Sequence, residues 1–140
     1  QGRLLTKPYP TESHYQLYSA NKNPYELCFQ CHNTDVLSPT SLAGETKFRD
    51  DRVKNGKLES KNLHWFHVVQ ATDGGTPSNR GRTCATCHDP HATEQDKLIR
   101  SSWPIEFNPS YSVKVIYQQN VEGGQCAKTC HDLRTYKRIE

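Results

Sequence analysis

Cys84-Ala85-Thr86-Cys87-His88 is the stretch that decides the fold of this chain, because two close variants of it recur. Cys28-Phe29-Gln30-Cys31-His32 has the same CxxCH spacing, and Cys126-Ala127-Lys128-Thr129-Cys130-His131 has one more residue between its cysteines. The three motifs use all 6 cysteines of the 140 residues. CxxCH is the sequence of a c-type haem attachment site, in which the histidine binds the iron. The sequence therefore predicts three covalently attached haem c groups.

The spacing of each motif has a mechanical reason. Cysteines three or four residues apart lie on one face of a helical turn, so both thiols can reach the vinyl groups along one porphyrin edge. The next residue then directs its imidazole at the iron as the proximal ligand. We predict six attachment cysteines, which are Cys28, Cys31, Cys84, Cys87, Cys126 and Cys130. We predict three proximal ligands, His32, His88 and His131.

Disulfides and zinc are the alternative explanations of the cysteine pairs. A disulfide framework accounts for an even number of cysteines but gives no reason for a histidine after every pair. Zinc sites built from CxxC knuckles usually combine two knuckles per metal, so three knuckles would leave one without a partner. Haem attachment is the interpretation that explains all three motifs together.

The composition also indicates a fold built around cofactors. Hydrophobic residues make up 33% of the chain and its mean hydropathy is -0.91. An ordinary globular domain is roughly 45–50% apolar, so this polypeptide has too little apolar surface to offset its chain entropy. We expect the haems to form the core and the haem-free chain not to fold. The predicted fold is mostly irregular and α-rich, a small multihaem cytochrome with short helices and one small β-hairpin.

The pattern along the chain divides it into an extended N-terminal arm, residues 1–23, and a three-haem domain, residues 24–140. Within the domain, Pro24 favours a short helix over Tyr25 to His32, and Leu63 to Gln70 suits one or two helical turns. Residues 38–62 lack sustained periodicity and are predicted to be a surface loop. The segment from Leu98 to Gln118 predicts two β segments, with a turn at Asn108-Pro109-Ser110.

Charge and hydropathy exclude two classes of partner. The formal net charge is +3, but the propionates of three haems would reverse it and the basic residues are dispersed, so no nucleic-acid surface is expected. No stretch approaches the roughly 18 apolar residues of a membrane span.

The chain begins at Gln1 without a signal sequence, so we expect a processed, secreted form in the periplasm or outside the cell.

Four histidines remain outside the motifs, and they are candidate distal ligands: His14, His64, His67 and His91. Methionine is absent from the chain, which excludes Met/His ligation. Four candidates for three irons make bis-histidine ligation throughout possible. Catalysis at haem would instead require an open iron position.

The position of each candidate suggests its role. His64 and His67 are three apart, so on a helix both would project from one face toward two neighbouring haems. His91 follows the proximal His88 after a turn at Pro90, so it suits a different haem. His14 lies in the polar arm, where a lone histidine is usually solvated.

The sequence resembles the doubled-CxxCH group of multihaem cytochromes. The resemblance rests on Asn62-Leu63-His64-Trp65-Phe66-His67-Val68 and on Gly81 to Ala92, with later likeness at Leu98-Ile99-Arg100 and Gly123-Gly124-Gln125-Cys126, and covers about residues 25–135. It implies that His64, His67 and His91 are the distal ligands within the chain and assigns no role to His14. Some cytochromes built from such modules form extracellular filaments, in which a histidine of one subunit binds a haem of the next.

The expected function is electron transfer through three closely spaced bis-histidine haems, without enzyme activity. We expect a subunit of an extracellular polymeric conduit, in which His14 could bind a haem of the neighbouring subunit. Its partners would be redox proteins, extracellular electron acceptors and further copies of the chain. A soluble periplasmic shuttle, a haem reductase and a haem-storage or structural scaffold are the alternatives.

Overall fold

The structure is a computed structural model that describes residues 23–39, 46–70, 82–89, 93–105, 108–127 and 131–139. The arm predicted for residues 1–23 therefore lies almost entirely outside the described residues. The helical elements are all short: α1 (Asn23–Glu26), 3-10 turns at Cys28–Gln30 and Thr34–Leu37, α2 (Leu63–Trp65) with a π-helical turn at Phe66–Gln70, α3 (Cys84–Cys87) and a 3-10 turn at Asp96–Leu98.

Seven strands make up the rest of the regular structure in the described ranges. They are β1 (Arg49–Lys54), β2 (Lys57–Asn62), β3 (Ser102–Ile105), β4 (Asn108–Lys114), β5 (Ile116–Asn120), β6 (Gly123–Ala127) and β7 (Arg134–Lys137). They form the antiparallel pairs β1-β2 and β3-β4 and the antiparallel three-stranded sheet β5-β6-β7. The prediction of a mostly irregular, α-rich fold is wrong, because strands rather than helices form the larger elements.

The hairpin β1-β2 occupies a segment that was predicted to be a loop. Its turn is Asn55-Gly56, where both residues have positive φ (52° and 72°), the geometry that two-residue hairpin turns favour. The loop prediction failed because the strands do not alternate apolar and polar residues. The buried positions of β1 are Arg49 and Asp51, whose ion pair measures 3.0 Å.

The β segments predicted between Leu98 and Gln118 do pair, but at a different turn. Ser102 lies opposite Lys114 in the register of β3 and β4. The predicted turn residues 108–110 instead begin β4, so the turn prediction is wrong. In the neighbouring sheet, β6 is packed closely against β5: a Cβ atom at Gly124 would lie 2.7 Å from the backbone carbonyl oxygen of Gln118. Only glycine fits there.

The C-terminal residues are attached to the β1-β2 hairpin by hydrogen bonds. The backbone N–H of Ile139 donates to Asp51 Oδ2 (2.9 Å), and that of Lys137 donates to Asp50 Oδ1 (3.3 Å). The buried guanidinium of Arg138 donates to the carbonyl of Lys47 (3.2 Å) and to that of Val121 (2.6 Å). This C-terminal clamp, Lys137–Ile139, fixes the hairpin against the three-stranded sheet.

Apolar packing is limited in the described part of the chain. Tyr25, Leu37 and Val68 form the hydrophobic cluster, which joins the first helical turns to the segment after α2. Seven polar or charged side chains are buried there against six hydrophobic ones. None of the helices in the described ranges is long and apolar enough to cross a membrane.

Candidate haem-binding site

Two of the three CxxCH motifs are described in full, and each forms one helical turn. The first lies on the 3-10 turn that begins at Cys28, and the second is α3 itself. In both, the backbone N–H of the histidine donates to the carbonyl of the first cysteine at 2.9 Å, from His32 to Cys28 and from His88 to Cys84. The turn thus brings both cysteines and the following histidine to one side of the backbone.

The first and second motifs meet at their leading cysteines. The thiols of Cys28 and Cys84 are hydrogen-bonded, which lowers the pKa of Cys28 to about 7 against the opposing effect of burial. The same bond, together with burial, raises the pKa of Cys84. Groups attached at these two positions would therefore be immediate neighbours.

Asn62 positions the helix that carries His64 and His67. Its side-chain oxygen accepts from the N–H of His64 (2.9 Å) and of Trp65 (3.3 Å), which caps α2. Its amide nitrogen donates to the carbonyls of Val36 (2.6 Å) and Ser38 (2.7 Å). Asn62 is only 1% exposed, so one buried amide both starts this helix and ties it to the segment after the first motif.

The histidines of α2 and of its π-helical turn face those of the second and third motifs. The ring centroids of His64 and His88 are 6.3 Å apart with planes inclined by 17°, and those of His67 and His131 are also 6.3 Å apart, inclined by 37°. Metal–imidazole bonds are about 2 Å long, so two imidazoles on opposite sides of one iron have ring centres about 6 Å apart. Both separations leave room for one metal atom between the rings.

All four of these imidazoles are bonded through Nδ1. His67 donates to the carbonyl of Leu63 (2.7 Å), His88 to that of Lys97 (2.9 Å) and His131 to that of Asp132 (2.7 Å). Nδ1 of His64 lies 2.9 Å from the hydroxyl oxygen of Thr46. A carbonyl only accepts, so the proton of the first three imidazoles is on Nδ1 and their Nε2 lone pair is free for a metal.

The electrostatics of the site keep the imidazoles of His64, His67 and His88 neutral. Burial, together with the nearby His88, His67 and His32, lowers the pKa of His64 to about 4. Burial is also the main cause of the lowered pKa of His67 and of His88. A neutral imidazole is the form that binds a metal, so the donor set fits haem iron between each pair.

Phe48 separates the two imidazoles of α2 and its π-helical turn. Its ring meets His64 edge to face at 5.2 Å and stacks on His67 at 5.7 Å. Tyr136 also meets Phe48 edge to face, at 5.2 Å. The carbonyl of Phe48 accepts from the N–H of Leu63 (3.0 Å), so the segment before β1 is fixed to the start of α2.

Sequence reasoning singled out some of these residues and missed others. His91, His14 and Cys130 lie outside the described residues, so their predicted roles stay predictions. Thr46, Phe48 and Asn62 were missed as parts of the site. Asn62 could have been found, since an asparagine directly before a helix is a common cap. Thr46 and Phe48 carry no sequence signal that distinguishes them from other loop residues.

Comparison with known families gives one match. The model of the doubled CXXCH motif family matches residues 76–104, which include the second motif and the loop after it. The match indicates a haem-binding c-type cytochrome. Such proteins hold haem c covalently through the cysteines of CXXCH, and they are generally exported from the cytoplasm. Searches of curated proteins and of solved structures gave no match to the chain.

Proposed function

We propose that this chain transfers electrons through three closely spaced haem c groups, each held by two histidines. The observation that carries the proposal is the pair of 6.3 Å separations, His64 to His88 and His67 to His131, combined with Nδ1 bonds that leave Nε2 of His67, His88 and His131 free for a metal. Haem iron held by two histidines would supply one-electron transfer and would have no open position for a substrate.

Each histidine pair is assigned to one motif. His88 is the proximal ligand of the haem attached at Cys84 and Cys87, and His64 is its distal ligand. His131 is the proximal ligand of the haem attached at Cys126 and Cys130, with His67 as its distal ligand. The support is that His64 faces His88, whereas His67 faces His131.

The remaining haem is assigned by counting and by its neighbours. Its attachment residues are Cys28 and Cys31, its proximal ligand is His32, and His91 is the candidate distal ligand that the other two irons leave over. The contact between the thiols of Cys28 and Cys84 supports a position directly beside the second haem. His32 also lies close enough to His64 and His88 to lower the pKa of both.

Short spacing follows from the chain's own geometry. His64 and His67 are three residues apart, in α2 and the π-helical turn that continues it, and so hold two irons from one short segment. The first two haems would adjoin through Cys28 and Cys84. A continuous row of redox centres is the arrangement that electron transfer needs, whereas a reductase needs one iron with a free position.

Spectroscopy of the purified protein tests this function. The mass of the protein under denaturing conditions should equal that of the chain plus three haems. A mass that corresponds to only two haems would exclude the third motif as an attachment site. Electronic and EPR spectra should show every iron six-coordinate and low-spin in both redox states. Carbon monoxide that binds rapidly to the native reduced protein would contradict the proposal and favour a reductase.

The N-terminal arm bears on the assembly in which this electron transfer would take place. We infer a subunit of an extracellular polymeric conduit, in which residues 1–23 contact the next copy and His14 lies at its terminal haem. The sequence supports this, because six histidines suffice for three haems and His14 is the seventh. A head-to-tail contact that does not close into a ring generates a filament.

Deletion of residues 1–20 separates the conduit from a soluble periplasmic shuttle. A conduit subunit should assemble into filaments visible by electron microscopy and should lose assembly, but keep three haems, after the deletion. A single substitution, His14→Ala, tests the ligand separately from the arm. Wild-type protein that stays monomeric at high concentration by light scattering would leave only the shuttle.

A further inference from the structure

We propose that Thr46 is a positioning residue that controls the reduction potential of one haem, the one held between His64 and His88. The inference rests on the proposed bis-histidine ligation. Thr46 would act through the hydrogen bond between its hydroxyl group and Nδ1 of His64, without touching the iron.

Thr46 differs in kind from the other partners of the ligand histidines. His67, His88 and His131 each donate to a backbone carbonyl, which no substitution removes. His64 alone among these four has a side-chain hydroxyl as its Nδ1 partner, at 2.9 Å. The hydrogen bond at Nδ1 of His64 is therefore the one of the four that a substitution of its partner can remove.

The hydroxyl of Thr46 is held in place for this contact. Thr46 is only 6% exposed, and its Oγ1 also accepts from the backbone N–H of Phe48 at 3.0 Å. Its carbonyl accepts from the buried guanidinium of Arg49 at 3.1 Å. With Nε2 of His64 on the iron, Nδ1 carries the proton and donates to Oγ1, so this oxygen accepts two hydrogen bonds.

The direction of the effect follows from ligand basicity. A hydrogen bond from Nδ1–H to an acceptor makes the imidazole a stronger donor to the metal. A stronger donor stabilises the ferric state relative to the ferrous state, and so lowers the reduction potential. Removal of the hydroxyl of Thr46 should therefore raise the potential of this haem and leave the other two unchanged.

Thr46→Val and Thr46→Ser form the matched pair for the test. Valine keeps the shape of the side chain without its hydroxyl, whereas serine keeps the hydroxyl. Potentiometric titration followed by EPR should show one of three potentials raised and one low-spin signal shifted in T46V, with T46S like the wild type. Potentials unchanged in T46V, or all three shifted together, would overturn the role of Thr46.

A measurement on the wild type keeps the test independent of how T46V folds. In the reduced protein, whose low-spin irons are diamagnetic, NMR should detect a slowly exchanging Nδ1 proton on His64. Rapid exchange of that proton with solvent would overturn the proposed contact. High-spin irons in the wild type would instead overturn the proposed function itself, so the two failures are distinguishable.

Discussion

Phe48 stacks on His67 with ring centroids 5.7 Å apart and planes inclined by 20°. The same ring meets His64 edge to face, at 5.2 Å and 77°. One aromatic side chain therefore restricts the rotation of two imidazoles that we assign to two different haems. The orientation of a ligand imidazole affects the electronic structure of its iron, so Phe48 couples protein packing to both centres.

Phe48→Leu should alter two low-spin EPR signals at once. Leucine keeps apolar volume beside His64 and His67 but removes the flat surface that fixes their planes. The haem content and spin state should stay unchanged. Phe29→Leu is the control, because Phe29 packs on the Tyr25 cluster and should change stability without moving either signal. Three signals that move equally in F48L would indicate a general loosening of the fold instead.

His64→Ala and His67→Ala should each convert one iron per chain to the high-spin state. Each substitution removes one of the distal ligands that we propose and leaves the cysteines of the motifs intact. The double variant should contain two high-spin irons, as counted by EPR spin quantification. Phe66→Leu, between the two histidines, should stay fully low-spin. A low-spin count of three in H67A would contradict its assignment to the haem of His131.

His91→Ala should likewise convert one iron to the high-spin state, the iron of the haem attached at the first motif. An unchanged spectrum would transfer this role to His14.

Asn62→Ala should destabilise the holoprotein by about 2–4 kcal/mol, since it removes a helix cap and two buried amide hydrogen bonds. Asn62→Asp should retain the cap, because its carboxylate can still accept from the N–H groups of His64 and Trp65. It should lose the donations to Val36 and Ser38. Guanidinium unfolding should therefore place N62D below the wild type, because the buried carboxylate would face two carbonyl oxygens. A free energy of unfolding equal to that of the wild type in either variant would show that the hydrogen bonds of Asn62 do not stabilise the fold.

Asp51→Asn should lower the free energy of unfolding at neutral pH by about 3 kcal/mol, since it leaves buried Arg49 without its counter-charge. Burial opposes ionisation of Asp51, but hydrogen bonds from Ser60 and Ile139 and the charge of Arg49 outweigh it and lower its pKa. A lowered pKa stabilises the folded state above the unfolded value of about 3.9, and this stabilisation is lost as pH falls through the folded pKa.

The difference between D51N and the wild type should therefore be constant above about pH 5 and shrink in more acidic solution. Glu59→Gln makes the same change of charge at an exposed position of the same hairpin, and its effect should stay within about 0.5 kcal/mol. Equal losses in D51N and E59Q would show that the buried pair contributes nothing specific.

Elements with apolar periodicity could be predicted from the sequence, whereas elements that bury polar groups could not. Leu63–Gln70 is helical as expected, although its second half is a π-helical turn. The hairpin β1-β2 was missed because Arg49 and Asp51 occupy its buried positions, while Val53 and Leu58 near its turn are exposed. A hairpin with charged residues buried and apolar residues exposed lacks the alternation of apolar and polar residues that predicts a strand. The dipeptide Asn55-Gly56, which is typical of a hairpin turn, was the one indication of it.

The candidate site shows the same division. The motifs predict the cysteines and the following histidines as haem-binding residues, because covalent attachment would fix their spacing. The bond between Thr46 and His64 spans 18 residues, and that between His88 and Lys97 spans 9. Contacts of this range depend on how the hairpin and the loops fold back, which local sequence does not specify.

The C-terminal clamp has a consequence for the order in which the molecule is completed. Ribosomal synthesis proceeds from the N-terminus, so Arg49 and Asp51 exist long before Ile139, which donates to Asp51. The hairpin they belong to follows directly on Thr46 and Phe48, the residues that hold His64 and His67. A nascent chain can display its first two motifs early, but the surroundings of both imidazoles are complete only after residues 136–139 have been synthesised. Completion of this site would thus wait for residues 136–139, and a chain truncated before residue 137 should leave Asp51 without the N–H donor of Ile139.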